Sequence, residues 1–432
     1  MNETTQNIRP IHYMGNKSRY LNAIENAVDG VARPGAACDL FAGTGVVSRR
    51  LASHRPVVSS DVQKYSQILV NALTNPQRYS PAEVEDLEIR ANAWLLEREP
   101  ALRALVSFEE SALAVASRDP AALAEVIESG SLAAGKASSD RFNAAKSDAL
   151  QVAGPETSTL TWYYGGVYFS YRQALELDAL LFAIRSSSRS GGNATAIASL
   201  MGTASDIVST VGNHFAQPVQ PRNGDGTLKR SWVASVVRSR HESVSDTFRG
   251  WLGRYATLRP SAHPCTALQN DYREVLDAPP QEIGVIYADP PYTRDHYSRF
   301  YHVLETIAMG DDPGLALVPG SNNPSRGLYR RSRHQSPFSI RTSVRHAFEE
   351  LFANAKRLDV PIVLSYSPMS EGTKARPETR LVSIDEIASI AGGYFSKISI
   401  VDVESSYHSR FNRLEVNAKS SGVAEVLFVA EN

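Results

Sequence analysis

The segment Asp289-Pro290-Pro291-Tyr292 combines a carboxylate, two prolines and an aromatic ring directly after the apolar run Gly284 to Ala288. That run reads as a strand, and prolines cannot continue a central strand. They hold the backbone extended and remove two N–H donors, which leaves Asp289 and a bare carbonyl as fixed acceptors aimed the same way. Such a pair suits an exocyclic amine, a poor nucleophile because its lone pair is delocalised into a ring. Two acceptors on its N–H bonds favour the tetrahedral nitrogen that can attack a methyl group, and Asp289 can accompany the developing positive charge. Tyr292 would stack on the base, which must leave a duplex for its amine to be reached. The competing structural reading is a proline-stiffened strand exit with a capping Asp.

A second group lies near the N-terminus. Residues 36–42 form a short apolar run ending in Gly43-Thr44-Gly45, followed by Val46 to Ala52 with helical spacing. Glycines there let the backbone turn sharply and approach a ligand closely, and the helix behind them offers unpaired N–H groups. By itself this is also an ordinary tight turn. Asp61 closes the next strand-like run, Pro56 to Ser60, where open α/β folds hold ribose hydroxyls, although a helix-capping Asp would look the same.

The elements that must position these groups alternate strand and helix, which predicts a doubly wound, mostly parallel α/β sheet. Further strand-like runs follow at 284–288, 360–365, 397–401 and 424–429. Between Ser80 and about residue 260 the composition turns helical. The expected organisation is therefore an N-terminal catalytic part (1–78), a mainly helical insertion (79–260) and a C-terminal catalytic part (261–432). With 432 residues the chain can bury a large core. Two cysteines, Cys38 and Cys265, are too few for a disulfide framework or zinc cluster, so no metal is expected. No leader-like start and no run approaching a membrane span is visible, which implies a cytoplasmic protein. A formal net charge of −1 gives no global sign of nucleic acid, so any such surface must be local. Residues 222–259 are rich in bases, and 321–348 hold six arginines and no carboxylate.

The set Tyr13-Met14-Gly15-Asn16-Lys17, Asp39 to Gly45, Asp61, Asn270-Asp271-Tyr272 and Asp289 to Tyr292 resembles, in residues and in order, the Dam-type group of adenine-N6 DNA methyltransferases. The resemblance implies a class I, Rossmann-like fold using S-adenosylmethionine, with double-stranded DNA as substrate and the insertion as target-recognition region. It implies that Tyr13, Gly15, Lys17, Asp39, Phe41, Gly43, Gly45, Asp61, Asp271 and Tyr272 surround the cofactor and that Asp289 to Tyr292 hold the base. It covers about residues 10–75, 265–310 and the last strand. The family usually has Trp or Phe where this chain has Tyr13, and the insertion is longer than in compact members, so no recognition sequence carries over.

Outside the motifs, Tyr297 to Ile307 reads as one helix with Phe300, Val303, Leu304 and Ile307 on its apolar stripe. Tyr301 and His302 lie off that stripe and suit either contact with an extruded nucleotide or helix packing. His214, in an aromatic and amide-rich stretch, suits either base contact or a packed core. Arg238, Arg240, Arg249 and Arg254 on a helical pattern, and Arg330, Arg331 and Arg333 in a Pro/Ser-rich loop, would form a DNA cradle if they flank the cleft. Rival functions are cytosine-N4 or RNA methylation, with Asp289 favouring adenine by resemblance, and a silent DNA-binding subunit. A restriction or phage-defence partner is left open.

Overall fold

The computed structural model describes residues 8–13, 15, 17–135, 138–151, 154–187, 189, 192–210, 212, 214–291, 294, 297–367, 381–403 and 425–432. Seven strands, β1 (Ala36–Leu40), β2 (Val57–Asp61), β3 (Cys265–Gln269), β4 (Ile283–Ala288), β5 (Ile362–Tyr366), β6 (Lys397–Asp402) and β7 (Val426–Glu431), form one sheet in the order β3-β2-β1-β4-β5-β7-β6. All neighbours pair in parallel except β7, which runs antiparallel to both β5 and β6. The expected α/β architecture with a mostly parallel sheet is therefore present.

The central strands are buried on both faces, which is why they read as unbroken apolar runs instead of alternating ones. Alternate side chains enter two separate cores. Cys38, Leu40, Val58, Ile286 and Leu364 face the core built with α12 (Tyr272–Asp277), α15 (Val344–Arg357) and α16 (Ile384–Ala391). Ala37, Val57, Val285, Tyr287 and Val363 face the other, with α1 (Leu21–Val31), α2 (Val46–Leu51) and α3 (Lys64–Thr74).

Between β2 and β3 the insertion contributes α4 (Pro81–Val115), α5 (Ala121–Ser129), α6 (Asp140–Leu150), α7 (Thr159–Tyr164), α8 (Tyr171–Ser186), α9 (Ala194–Ile207), α10 (Val233–Arg240) and α11 (Val244–Ala256). A Ser80/Glu83 capping box with Pro81 at the first position starts α4. The insertion shares the first core: α9 packs on α3, and α14 (His302–Met309) packs on both. Among the described residues no helix is long and apolar enough to cross a membrane.

Two expectations fail locally. β3 is an additional edge strand whose half-exposed residues carry no apolar run to betray it. The helix expected from Tyr297 breaks at Tyr301 into α13 (Tyr297–Phe300) and α14, although Phe300, Val303, Leu304 and Ile307 are all buried as the stripe requires.

Candidate active site

The chain runs from β1 outward to β2 and β3, then returns to the other side of β1 with β4 and β5. The crevice at the carboxyl ends of β1 and β4 is therefore the switch point where open α/β sheets take ligands. Register delivers the two motif groups to it together. Leu40 pairs with Ala288, so Phe41 and Asp289 leave the sheet side by side, and the Asp289 N–H donates to the Leu40 carbonyl at 3.4 Å.

Asp289 meets Lys17, whose ammonium lies 3.0 Å from Asp289 Oδ1 and 3.0 Å from Glu425 Oε1. Lys17 and Glu425 are buried, whereas Asp289 keeps 21% of its side chain open to the pocket. The Ser365 hydroxyl donates to the same Glu425 oxygen at 2.7 Å. One cation thus serves two carboxylates. Burial pushes the Asp289 carboxyl up to about 6, with Lys17 opposing and Glu425 adding to the rise.

The turn after β1 is backbone-strained in a purposeful place. Phe41 has φ +62°, unusual for a residue with a side chain, and Gly43 and Gly45 follow at +53° and +78°. The two glycines do different work. A Cβ on Gly43 would lie 2.7 Å from the Tyr13 hydroxyl, so that glycine admits the ring at the pocket wall. A Cβ on Gly45 would lie 2.7 Å from Val70 Cγ2, so that one lets α2 close onto α3. The Gly43 N–H donates to Asp61 Oδ2 at 3.0 Å and the Gln63 N–H to Oδ1 at 2.9 Å, which fixes the Asp61 carboxylate in the pocket. Behind it the N–H groups of Lys64 and Tyr65, at the start of α3, donate to Glu305 at 3.0 and 2.9 Å, tying α14 to the strand exit. Asp39 is fully buried beside the Ser48 hydroxyl, and burial together with Asp289 and Asp61 lifts its carboxyl to about 7.

Tyr13, Gly15, Lys17, Asp39, Phe41, Gly43, Asp61, Asp271, Tyr272, Asp289, Pro290 and Pro291 all line a single pocket enclosing about 1130 Å³. Gly45 stands one layer behind it. Tyr292 lies outside the described residues, as do Met14 and Asn16. Asp271 also caps α12, accepting from the Arg273 N–H at 3.0 Å, so its carboxylate is oriented by the helix it starts. Tyr272 packs on Phe41 at 5.5 Å. The charged lining is mainly acidic, with Asp39, Asp61, Asp271 and Asp289 against Lys17 and His334. Such a surface repels a polyphosphate and suits a nucleoside bearing positive charge.

Two stretches match a known family. Residues 13–95 and 261–362 fit the model of the D12 class N6 adenine-specific DNA methyltransferases. A curated protein, the modification methylase LlaI of Lactococcus lactis subsp. lactis, is 31% identical over 138 residues, which is 32% of this chain and 19% of that protein. The chain thus spans about a fifth of the length of the curated relative it matches. The matched stretches carry β1, β2, β4 and nearly every pocket residue, whereas most of the insertion lies between them.

The residues expected to reach DNA fare differently. Tyr301 is buried, stacked 4.8 Å behind Tyr13, so it packs the pocket wall from the rear. His302 is buried among Tyr164, Tyr168 and Tyr329, and burial lowers its pKa to about 3, keeping it neutral. Both side chains pack inside the protein. Arg330 is buried in a two-pronged pair with Asp311 at 2.9 and 2.7 Å, and Arg240 is buried against Glu109. Arg249 grips Glu88, and Arg254 lies over Trp251. Arg240 and Arg330 are thus engaged inside the protein, whereas Arg249 and Arg254 remain more than half exposed. Arg331 and Arg333 keep access to solvent, as does His214, which lines a second cleft.

Sequence reasoning missed Glu425 and Glu305. Each is a lone acid flanking an apolar run, a signal that marks an exposed strand or helix end just as well.

Proposed function

We propose that the chain transfers a methyl group from S-adenosylmethionine to the N6 amino group of adenine in double-stranded DNA, as a Dam-type enzyme on a class I, Rossmann-like fold. The carrying observation is the Leu40–Ala288 register, which brings the strained turn at Phe41 to Gly45 and the acceptors at Asp289 and Pro290 into one acid-lined pocket. S-adenosylmethionine, when bound, supplies an electrophilic methyl group on a sulfonium. The acidic lining suits that charge, Asp61 is oriented to accept from ribose hydroxyls, and Phe41 and Tyr13 offer ring faces.

Lys17 holds Oδ1 of Asp289, which fixes the carboxylate, and the part of the side chain left open to the pocket serves as the acceptor. An amine presented there donates one N–H to Asp289 and the other to the Pro290 carbonyl. Nitrogen becomes tetrahedral, and Asp289 faces the positive charge as it grows. The base must be extruded from the duplex to reach this depth, with Tyr292 as the ring expected to stack on it. The helical insertion is the natural carrier of target recognition, because it builds on α3 and α14 beside the pocket.

The test is tritiated methyl transfer to mixed-sequence duplex, followed by nucleoside analysis. Label in N6-methyladenine is expected, with Asp289→Ala slower by about 10²–10³-fold and cofactor binding retained. Label in N4-methylcytosine would redirect the reading, and none in any DNA would end it.

A further inference from the structure

A second, open cleft lies on the far side of α13 from the pocket. Tyr297 and Ser298 of that short helix line the pocket, while Arg299 and Phe300 line the cleft, so one turn of helix separates them. The charged side chains in the cleft lining are Lys229, Arg294 and Arg299, with His214 beside them and, among the described residues, no carboxylate. Its wall includes Tyr329. The Arg333 guanidinium sits over that ring at 5.0 Å, and Arg299 at 5.7 Å.

The pair differs from the arginines of the insertion and of the loop beside it. Arg240, Arg249 and Arg330 each answer a carboxylate. Arg299 and Arg333 share an aromatic ring, and among the described residues neither has a carboxylate partner. Nε and Nη1 of Arg333 are buried with no hydrogen-bond partner among those residues. Burial and the neighbouring Arg299 both disfavour the Arg333 charge. The platform is tied down: the Tyr168 hydroxyl shares its one proton between the Phe215 carbonyl at 2.8 Å and the Gly327 carbonyl at 2.9 Å, and the Tyr329 hydroxyl donates to the Ala216 carbonyl. Two cations held together with no carboxylate beside them among the described residues describe half of an anion site.

We infer that Arg299 and Arg333, on the Tyr329 platform, bind a backbone phosphate of the DNA strand next to the nucleotide extruded into the pocket, and that the cleft carries that strand onward past Lys229. The inference rests on the DNA reading above and deepens it. Arg299 lies two residues beyond Tyr297 at the pocket mouth, so a strand whose base is held at Asp289 has its next phosphates within reach of the pair. His302 beneath the platform is neutral and adds no charge, so the two guanidinium groups carry the recognition.

The experiment is fluorescence anisotropy of a mixed-sequence duplex with the full chain across a salt series, with cofactor binding measured by calorimetry. The double variant Arg299→Gln/Arg333→Gln is expected to bind about tenfold more weakly, and its log–log salt dependence should be shallower by roughly 0.9 for each phosphate it no longer neutralises. Arg299→Lys/Arg333→Lys should restore most of the slope, because Lys keeps the charge. A Gln variant with the wild-type slope, in a protein that still methylates DNA, overturns the inference and leaves the DNA reading standing. A Gln variant that also loses cofactor binding marks the pair as structural and likewise overturns it. If the wild type neither binds nor methylates any duplex, both readings fall.

Discussion

Buried charge is used in opposite ways at the sheet edge and in the helical insertion. In the insertion each buried ion described is answered within the protein, although Arg240 Nε has no hydrogen-bond partner among the described residues. Arg240 takes Glu109 and the Gly166 carbonyl at 2.6 Å, while Glu109 also accepts the Tyr171 N–H at 2.7 Å. The Lys146 ammonium shares its three protons among the carbonyls of Ser129, Ser131, Ala134 and Gly135, and Asp178 accepts from the Leu160 and Thr161 N–H groups and the Thr161 hydroxyl. At the sheet edge, Lys17 is divided between two acids, Asp289 keeps part of its side chain open to the pocket, and Phe41 holds a left-handed backbone. Burial alone therefore says little about function. A buried ion answered by its own counter-ion or by backbone groups fixes a fold, and one with acceptor capacity left open toward a cavity can do chemistry.

The contrast breaks most visibly at Arg240. Replacing it with Met leaves Glu109 buried without its counter-ion, which should cost about 3–5 kcal/mol of stability. Chemical denaturation would read the loss directly. The companion variant Arg240→Met/Glu109→Leu should recover most of it, and methyl transfer per folded molecule should stay near wild type in both. A large fall in transfer by the folded double variant would mean that the insertion's ions reach the chemistry after all.

That pair also explains what the sequence could and could not disclose. Each motif at the sheet edge is short and continuous, so the Gly43 turn, Asp61 and the prolines after Asp289 carry their local geometry in residue order, whereas their gathering with Tyr13, Lys17 and Asp271 was legible only through the family resemblance. Arg240 and Glu109 lie 131 positions apart. From the sequence only a row of arginines is visible, and a basic face is the natural reading of it. Glu425 is hidden for the same reason, since its partner Lys17 is 408 positions away. β3 escaped because an edge strand is half-exposed and lacks the apolar run that reveals a central one.

At the sheet edge the comparison sharpens through pH. The acceptor form of Asp289 is the carboxylate, and burial raises its pKa to about 6, so methyl transfer should rise with pH through that value and fall away below it. Lys17 lowers this pKa and Glu425 raises it. Lys17→Met should therefore move the acid limb to higher pH, and Glu425→Gln should move it to lower pH. Single-turnover rates across the range would separate the two. A merely structural Glu425 would change protein yield or melting without displacing the limb, and limbs moving in the same direction would refute the shared-cation arrangement.

The smallest effect belongs to Arg249, and it bears on the comparison from the other side. Arg249 sits in the base-rich stretch that the sequence offers to DNA, yet its guanidinium grips Glu88 through two hydrogen bonds of 2.5 Å while remaining 54% exposed. An exposed pair of this kind contributes at most about 1 kcal/mol, because water screens it and two long side chains lose freedom to form it. Arg249→Ala should thus shift the denaturation midpoint slightly and leave the salt dependence of DNA binding unchanged, since its charge is already answered within the protein. A shallower slope for this variant, comparable to that expected for the pair around Tyr329, would show that a carboxylate partner does not withdraw an arginine from phosphate, and that open valence is too strict a criterion for function at a surface.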